Sequence, residues 1–264
     1  MYMSDPTRNA VQRLFAFLPL LAALAAPAAY GFEDGLGVEL ESGAVWQSRN
    51  DVQSPTRPAG ATPAGTRFSL SPLLGGDAEA YGRVRASYTW RDTHQVYVLY
   101  APLTLQGVGT FAAPVSFQGT SFAASVPTQA KYRFDSYRLG YRYHLLQRDI
   151  WDLWVGATVK IRDADIALRQ GTLSANRANT GPVPLLNLVA RAQLAPRWSI
   201  LLDAEGLAAP QGRAIDAALK LRYAVTDKVG VGAGYRILEG GADNKTVYTF
   251  ATVHYALVSL DVHF

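Results

Sequence analysis

The stretch 131–162, KYRFDSYRLGYRYHLLQRDIWDLWVGATVKIR, decides the fold. In its first half Tyr137, Leu139, Tyr141, Tyr143 and Leu145 alternate with Ser136, Arg138, Gly140, Arg142 and His144. In its second half Trp151, Leu153, Val155, Ala157, Val159 and Ile161 alternate with Asp152, Trp154, Gly156, Thr158, Lys160 and Arg162. Successive side chains of a strand point to opposite faces, so this period of two makes each half a strand with one apolar face. Only Gln147-Arg148-Asp149 and a neighbour separate the two, which predicts a tight hairpin.

The same pattern runs outward in both directions. It predicts strands over 35–48, 78–90, 95–106, 131–145, 150–162, 184–194, 198–207, 214–225, 229–238 and 246–264. That is an all-β chain of about ten strands, an even number that brings both ends of a closed antiparallel barrel to one side. A hairpin from Val115 to Phe122 would raise the count to twelve, and a lost pair would lower it to eight. Segment 95–106 is apolar on both faces, which leaves its orientation open, and Pro72 and Pro102 are awkward for central strands. Near Ala256-Leu257 the alternation changes phase, which predicts a β-bulge. Short turns at 91–94, 146–149, 195–197 and 226–228 contrast with long loops at 49–77, 107–130 and 163–183. The connections at 208–213 and 239–245 are moderate.

Composition narrows the class. Hydrophobic residues make up 49% of the 264 and charged residues 17%, while mean hydropathy is only +0.02. Such a chain has apolar surface to place but too little continuous apolar sequence for several helical spans. Cysteine is absent, which excludes disulfides and thiolate metal sites. The net charge of +4 is a small excess without a basic run, so no nucleic-acid partner is expected. No residue pattern implies a cofactor or a metal; Asp163, Asp165, Glu239 and Asp243 read as solvated loop carboxylates.

Arg8 and Arg13 followed by the apolar run 14–26 and Ala26-Pro27-Ala28 have the layout of a secretory signal peptide. Residues 1–29 are therefore expected to be a signal peptide and 30–264 the barrel. Tyr88, Trp90, Tyr143, Trp151, Trp198 and Tyr223 fall on apolar faces beside the short turns, as an interfacial girdle requires. The chain ends with Val258, Leu260, Val262 and Phe264 at alternate positions. That ending resembles the C-terminal assembly signal of bacterial outer-membrane barrels. The general layout resembles the small-barrel families of OmpA and OmpW type, without reaching any characterised functional motif. The resemblance implies a transmembrane barrel in the bacterial outer membrane with both termini periplasmic. It also implies contacts with outer-membrane lipids and lipopolysaccharide, and with the barrel-assembly machinery through the last strand. The expected state is a monomer.

The inward face should carry Glu39, Glu41, Arg83, Arg85, Arg138, Arg142, Lys160, Arg162, Arg191, Asp203, Glu205, Asp216, Lys220, Arg222 and Arg236. A barrel of this size has little more room than its side chains fill. The leading expectation is a largely plugged, charged lumen with a structural, surface-contact or minor permeability role. A narrow anion-favouring channel is the alternative, since basic groups outnumber acids. A lipid-modifying barrel enzyme is the second alternative. Four histidines are available, His94, His144, His254 and His263, but none stands with a serine in a recognisable nucleophile motif, so no catalytic residue is expected.

Overall fold

The computed structural model describes residues 34–60 and 62–264; the expected signal peptide lies outside the described residues. Its strands in chain order are β1 (Gly35–Gln53), β2 (Phe68–Ser69), β3 (Glu79–Trp90), β4 (His94–Ala101) and β5 (Thr104–Gly109). There follow β6 (Val115–Phe117), β7 (Thr120–Phe122), β8 (Thr128–Arg148), β9 (Trp151–Gln170) and β10 (Leu173–Ala195). The last are β11 (Trp198–Ala209), β12 (Gly212–Ala224), β13 (Val229–Asp243) and β14 (Tyr248–His263). Each wall strand pairs antiparallel with its neighbours, and β14 pairs with β1 from Gly37↔His263 to Gln53↔Tyr248. The sheet is thereby a closed antiparallel barrel of ten strands, with β4 and β5 forming one stave against β8. Pro102 sits in the gap between β4 and β5, where no ladder donor is needed.

All turns at one end are short, and β1 begins and β14 ends there. At the other end only two connections are long, 54–78 and 110–127. The expected loop at 163–183 is instead strand: β9 runs to Gln170, β10 starts at Leu173, and the two stay in register from Gln170↔Leu173 downward. The alternating signal is broken there by Asp163 and Asp165 at outward positions, although Ile166 and Leu168 continue an apolar inward face. The connections expected at 208–213 and 239–245 likewise shrink to turns at Pro210-Gln211 and 244–247. On its other side β10 meets β11 only from Leu186↔Gly206, so the upper half of the β9–β10 hairpin stands above that part of the wall.

Val115–Phe122 does form a hairpin, β6–β7, but as a separate two-stranded sheet outside the wall. The β-bulge expected near Ala256-Leu257 is not there. β14 keeps phase along its length, with Val253, Tyr255, Leu257, Ser259 and Asp261 all buried. What changes is the interior, which is charged toward the short turns and apolar toward the loops. The register shift lies instead on β1, between Gln47 and Arg49.

Two close contacts lock the wall to its contents. The ring of Tyr97 lies against Gly140, where a Cβ would come within 2.2 Å of Cζ. At Gly107 and Gly109 of β5, Cβ atoms would strike the backbone of the helical turn Ser71–Leu74, at 2.4 Å from Leu73 O and 2.6 Å from Pro72 O.

Closure can be tested by crosslinking, since the chain has no cysteine of its own. Ala44 and Ala256 are paired across the β1–β14 seam, at a separation within reach of a disulfide. The oxidised A44C/A256C double variant is expected to form an intramolecular disulfide that alters migration on non-reducing gels. Absence of the bond in folded protein would contradict the closed register.

Candidate functional site

Inward positions on ten strands bring the expected charges into a single stack. At mid-height Asp216 of β12 accepts from Arg83 Nη1 (3.2 Å), Arg138 Nη2 (2.5 Å) and Arg236 Nη1 (2.6 Å). Arg236 Nη2 also donates to Glu41 Oε2 at 2.8 Å, and Lys220 Nζ lies 2.9 Å from the same oxygen. Arg138 Nη1 donates to Glu205 Oε2 at 2.6 Å, and Tyr97 Oη donates to Glu205 Oε1 at 2.6 Å. Toward the short turns Asp203 meets Arg142 Nη2 (2.7 Å) and Arg85 Nη2 (2.6 Å), and Arg85 Nη1 donates to Glu39 at 3.1 Å. Lys220 also donates to Glu39. Lowest are Arg191 with Asp152 and Arg222 with Asp261, the latter at 3.1 Å. A charge taken out of water is tolerable only when paired and hydrogen-bonded, and these groups are cross-linked so that most carboxylates serve two or more cations.

Two of the expected lumen residues stand apart. Lys160 is buried, 2% exposed, and has no carboxylate within ion-pair distance among the described residues; its Nζ sits 4.6 Å from the centroid of the Phe134 ring. Arg162, near the loop end, donates to Asn179 of β10 rather than joining the stack. Others were not in the expected set. Asp152 and Asp261 are partners of Arg191 and Arg222. Tyr97 was hidden because β4 is apolar on both faces; its inward line is Gln95, Tyr97, Leu99 and Ala101. Tyr81 Oη, donating to Glu41 at 3.1 Å, marks the top of the charged zone.

Above Tyr81 the interior turns apolar. Leu70, Leu73 and Leu74 from the first long connection enter from one side, and Phe111, Val115, Phe117 and Phe122 from the second. They pack with Val45, Val52, Leu105, Tyr132, Ile166, Leu168, Val253 and Leu257 of the wall. The two connections are also tied together: Thr66 N donates to Ser116 O at 2.8 Å, Gln118 N to Ser54 O at 2.9 Å, and Gln118 Nε2 to Ser54 Oγ at 2.6 Å. Gln170 of β9 holds the same plug, accepting from Ala123 N at 2.8 Å and donating to Thr128 Oγ1 at 2.7 Å. Instead of standing free above the barrel, these loops fold into it.

Little space remains. A cavity of about 40 Å³ lies near the short-turn mouth between Arg85, Arg142, Asp203 and Asp261, and two others of about 10 Å³ lie at mid-height. A water needs roughly 10–15 Å³ of such volume, so these spaces are of water size. Among the described residues no group of three or more His, Asp or Glu side chains is placed to hold a metal ion. The described residues form a closed β-barrel whose interior is largely filled by side chains and by the two long connections.

No family model matches this chain, and no curated protein matches it either. Among solved structures it is similar to the outer membrane protease OmpT of Escherichia coli, at 9% identity over 88% of this chain and 97% of that one, with a TM-score of 0.47. It is also similar to Neisserial surface protein A (13% identity, 88% and 98% covered, TM-score 0.36) and to the outer membrane protein AlkL (13%, 94% and 98%, TM-score 0.42). These likenesses carry no argument about what this chain does.

On the outside, the aromatic residues expected beside the short turns all lie on the wall's outer face. Tyr88 stacks on Trp90 (6.4 Å) and Trp90 on His94 (5.2 Å), while Trp198 meets Tyr223 tilted at 51° (4.8 Å). Tyr143 and Trp151 are exposed near them. Val258 and Leu260 also face outward, and Phe264 N donates to Leu36 O at 2.9 Å, which places the last residue against the start of β1.

Because Asp216 faces three guanidinium groups, its removal leaves buried cations short of a partner. D216A is expected to lower unfolding free energy by about 3–5 kcal/mol, read from a urea titration of the refolded barrel. R148A, at an ion pair with 79% and 81% of its side chains exposed, is expected to change it by less than about 0.5 kcal/mol.

Proposed function

We propose that the protein spans the bacterial outer membrane as a monomeric barrel with a sealed lumen, and that it works through its outer surface and rim rather than as a conduit. The observation that carries this reading is the inversion of polarity across the wall. Apart from Lys160, which lies against the Phe134 ring, every inward charge described above is ion-paired or hydrogen-bonded, whereas the outward face exposes large apolar side chains on every stave. Leu186 is 63% exposed, Leu139 61%, Val258 58% and Leu219 55%. Soluble monomers rarely expose contiguous apolar patches beyond a few hundred Å², and a belt that encircles the molecule is what a bilayer covers. A strand tilted at 35–45° climbs about 2.5 Å per residue along the barrel axis, so an apolar band of about 25 Å takes about ten residues. On β1 that is the separation from Leu36, paired with Tyr88 of the lower aromatic ring, to Trp46.

The girdle of Tyr88, Trp90, Tyr143, Trp151, Trp198 and Tyr223 then sits at the periplasmic interface, with both termini. Val258, Leu260, Val262 and Phe264 serve as the assembly signal for the insertion machinery. Partners are the surrounding phospholipid and lipopolysaccharide. Against the anion channel stand the ion pairs of the lower lumen and the apolar plug above them, since conduction needs a continuous hydrated path and an apolar constriction closes it.

Two measurements test this. Purified, refolded protein in planar bilayers is expected to give no discrete conductance steps; regular steps from the wild type would restore the channel. L219R, in lipid vesicles, is expected to cost about 2–4 kcal/mol of unfolding free energy, as an arginine does on a lipid-facing wall. A change within about 0.5 kcal/mol would mean that this face meets water.

A further inference from the structure

At the upper edge of the apolar band, at the height of Trp46, the outer wall carries a polar cluster built around a histidine. At the β1–β14 seam Ser48 Oγ lies 2.6 Å from His254 Nε2, and Tyr235 Oη lies 2.5 Å from His254 Nδ1. Three strands supply the three residues: β1, β13 and β14. The Trp46 ring stacks on the imidazole with centroids 5.6 Å apart and planes at 24°. Ser48 is the residue skipped where the β1–β14 register shifts between Gln47 and Arg49. A bulge inserts one extra residue and re-aims a side chain, and such bulges gather beside active sites. Here it turns a hydroxyl outward onto the histidine of the neighbouring strand.

The surroundings suit a surface-bound amphiphile. Toward the short turns the same outward faces continue as Leu40, Val258 and Leu260, all exposed. Toward the loops they become charged. Arg49 is ion-paired with Asp51 at 2.7 Å and donates from Nη2 to Tyr248 Oη at 3.0 Å, and Arg67 donates to the same hydroxyl while its guanidinium lies 3.7 Å over the Tyr248 ring. Arg67 has no carboxylate within ion-pair distance among the described residues, which leaves its charge for an anion. The Ser–His pair therefore stands at the boundary between the apolar wall and a charged rim, in which Arg67 is the cation left for an anionic group.

We propose that Ser48 and His254 are catalytic residues of an ester hydrolase that faces the outer leaflet, with Tyr235 as a positioning residue. The substrate class is a carboxylic ester of a membrane amphiphile with a phosphate-bearing head. This rests on the membrane-spanning reading above. With its proton on Nδ1, the imidazole donates to Tyr235 Oη and accepts the Ser48 hydroxyl proton at Nε2. The Oγ electron pair forms a bond to the ester carbonyl carbon, and the carbonyl π pair moves to its oxygen. That pair returns as the bond to the alkoxy oxygen breaks, and the alkoxy oxygen takes the proton from Nε2. The products are the free alcohol and an acyl ester on Ser48. Water then gives a proton to Nε2 while its oxygen bonds to the acyl carbon. The acid departs and Ser48 Oγ recovers the proton. The balance is ester plus water to alcohol plus fatty acid. A nucleophile, a base within hydrogen-bond reach and a third group orienting the base are the parts such chemistry needs.

The full chain, refolded into detergent–lipid micelles, is the material for the test. An alkyl fluorophosphonate is expected to add one equivalent at Ser48, located by peptide mass, with no adduct on S48A. Phosphatidylethanolamine vesicles and lipopolysaccharide micelles are the two substrate arms, with fatty-acid release read by mass spectrometry; whichever arm releases acid names the source of the ester. S48A and H254N are expected to lower release by about 100-fold or more, the scale of a lost general base. Y235F is expected to lower kcat with KM unchanged and to move the acidic limb of the pH–rate profile, which a merely structural role would leave in place. Each sample is checked for a heat-modifiable gel band. Wild type that is folded by this criterion, yet takes no label and releases no fatty acid in either arm, overturns the proposal. Failure of wild type to show the folded band in lipid overturns the membrane reading itself.

Discussion

Hydrogen bonding between the first strand and the last is the constraint from which the rest of the molecule follows. A sheet of ten strands with open edges would present two rows of unpaired N–H and C=O groups, which neither lipid nor a neighbouring protein can be allowed to meet unsatisfied. Pairing of β1 with β14 over its whole length removes both rows. It also fixes the circumference, and with it the width of an interior that the chain must fill.

The chain fills that interior in two different ways. Where strands run between short turns, the contents come from the wall itself: long charged side chains that span the bore and pair across it, such as Arg138 to Asp216 and Arg236 to Glu41. Where the strands lead into long connections, the contents are delivered from outside as Leu70, Leu73, Phe117 and Phe122. Tyr81 and Tyr255, in edge-to-face contact at 4.7 Å, form the boundary, with the Tyr81 hydroxyl in the ionic layer and its ring in the apolar one. The glycines of β5 at 107 and 109 thin the wall at the height where the helical turn must fit.

The barrel was legible because its strands cross from an apolar medium to a charged interior, and that contrast writes a period of two into stretches such as 131–162. Where the contrast fades, so does the signal. Tyr97 was obscure because Val96, Val98 and Leu99 around it are all apolar, and the upper β9–β10 hairpin because Asp163 and Asp165 take outward positions that are apolar lower down β9. The apparent phase change at Ala256-Leu257 came from a switch in the polarity of the interior and not from the backbone. The Ser48–His254 pair was beyond sequence reasoning for another reason. Its members are 206 positions apart, and only the register of closure, together with a one-residue shift in β1, brings them face to face.

The tall β9–β10 hairpin carries one more consequence. Above Leu186 one side of β10 has no strand beside it among the described residues, so a length of backbone stands ready to template another chain. Pro182 and Pro184 lie in that length, opposite Ile161 and Val159 with no shift in the β9 ladder. Two residues without N–H groups, at alternate positions, withhold donors from one side of the ribbon only. A projecting ribbon that would otherwise offer its copies an unbroken row of donors is thus interrupted along its bare margin.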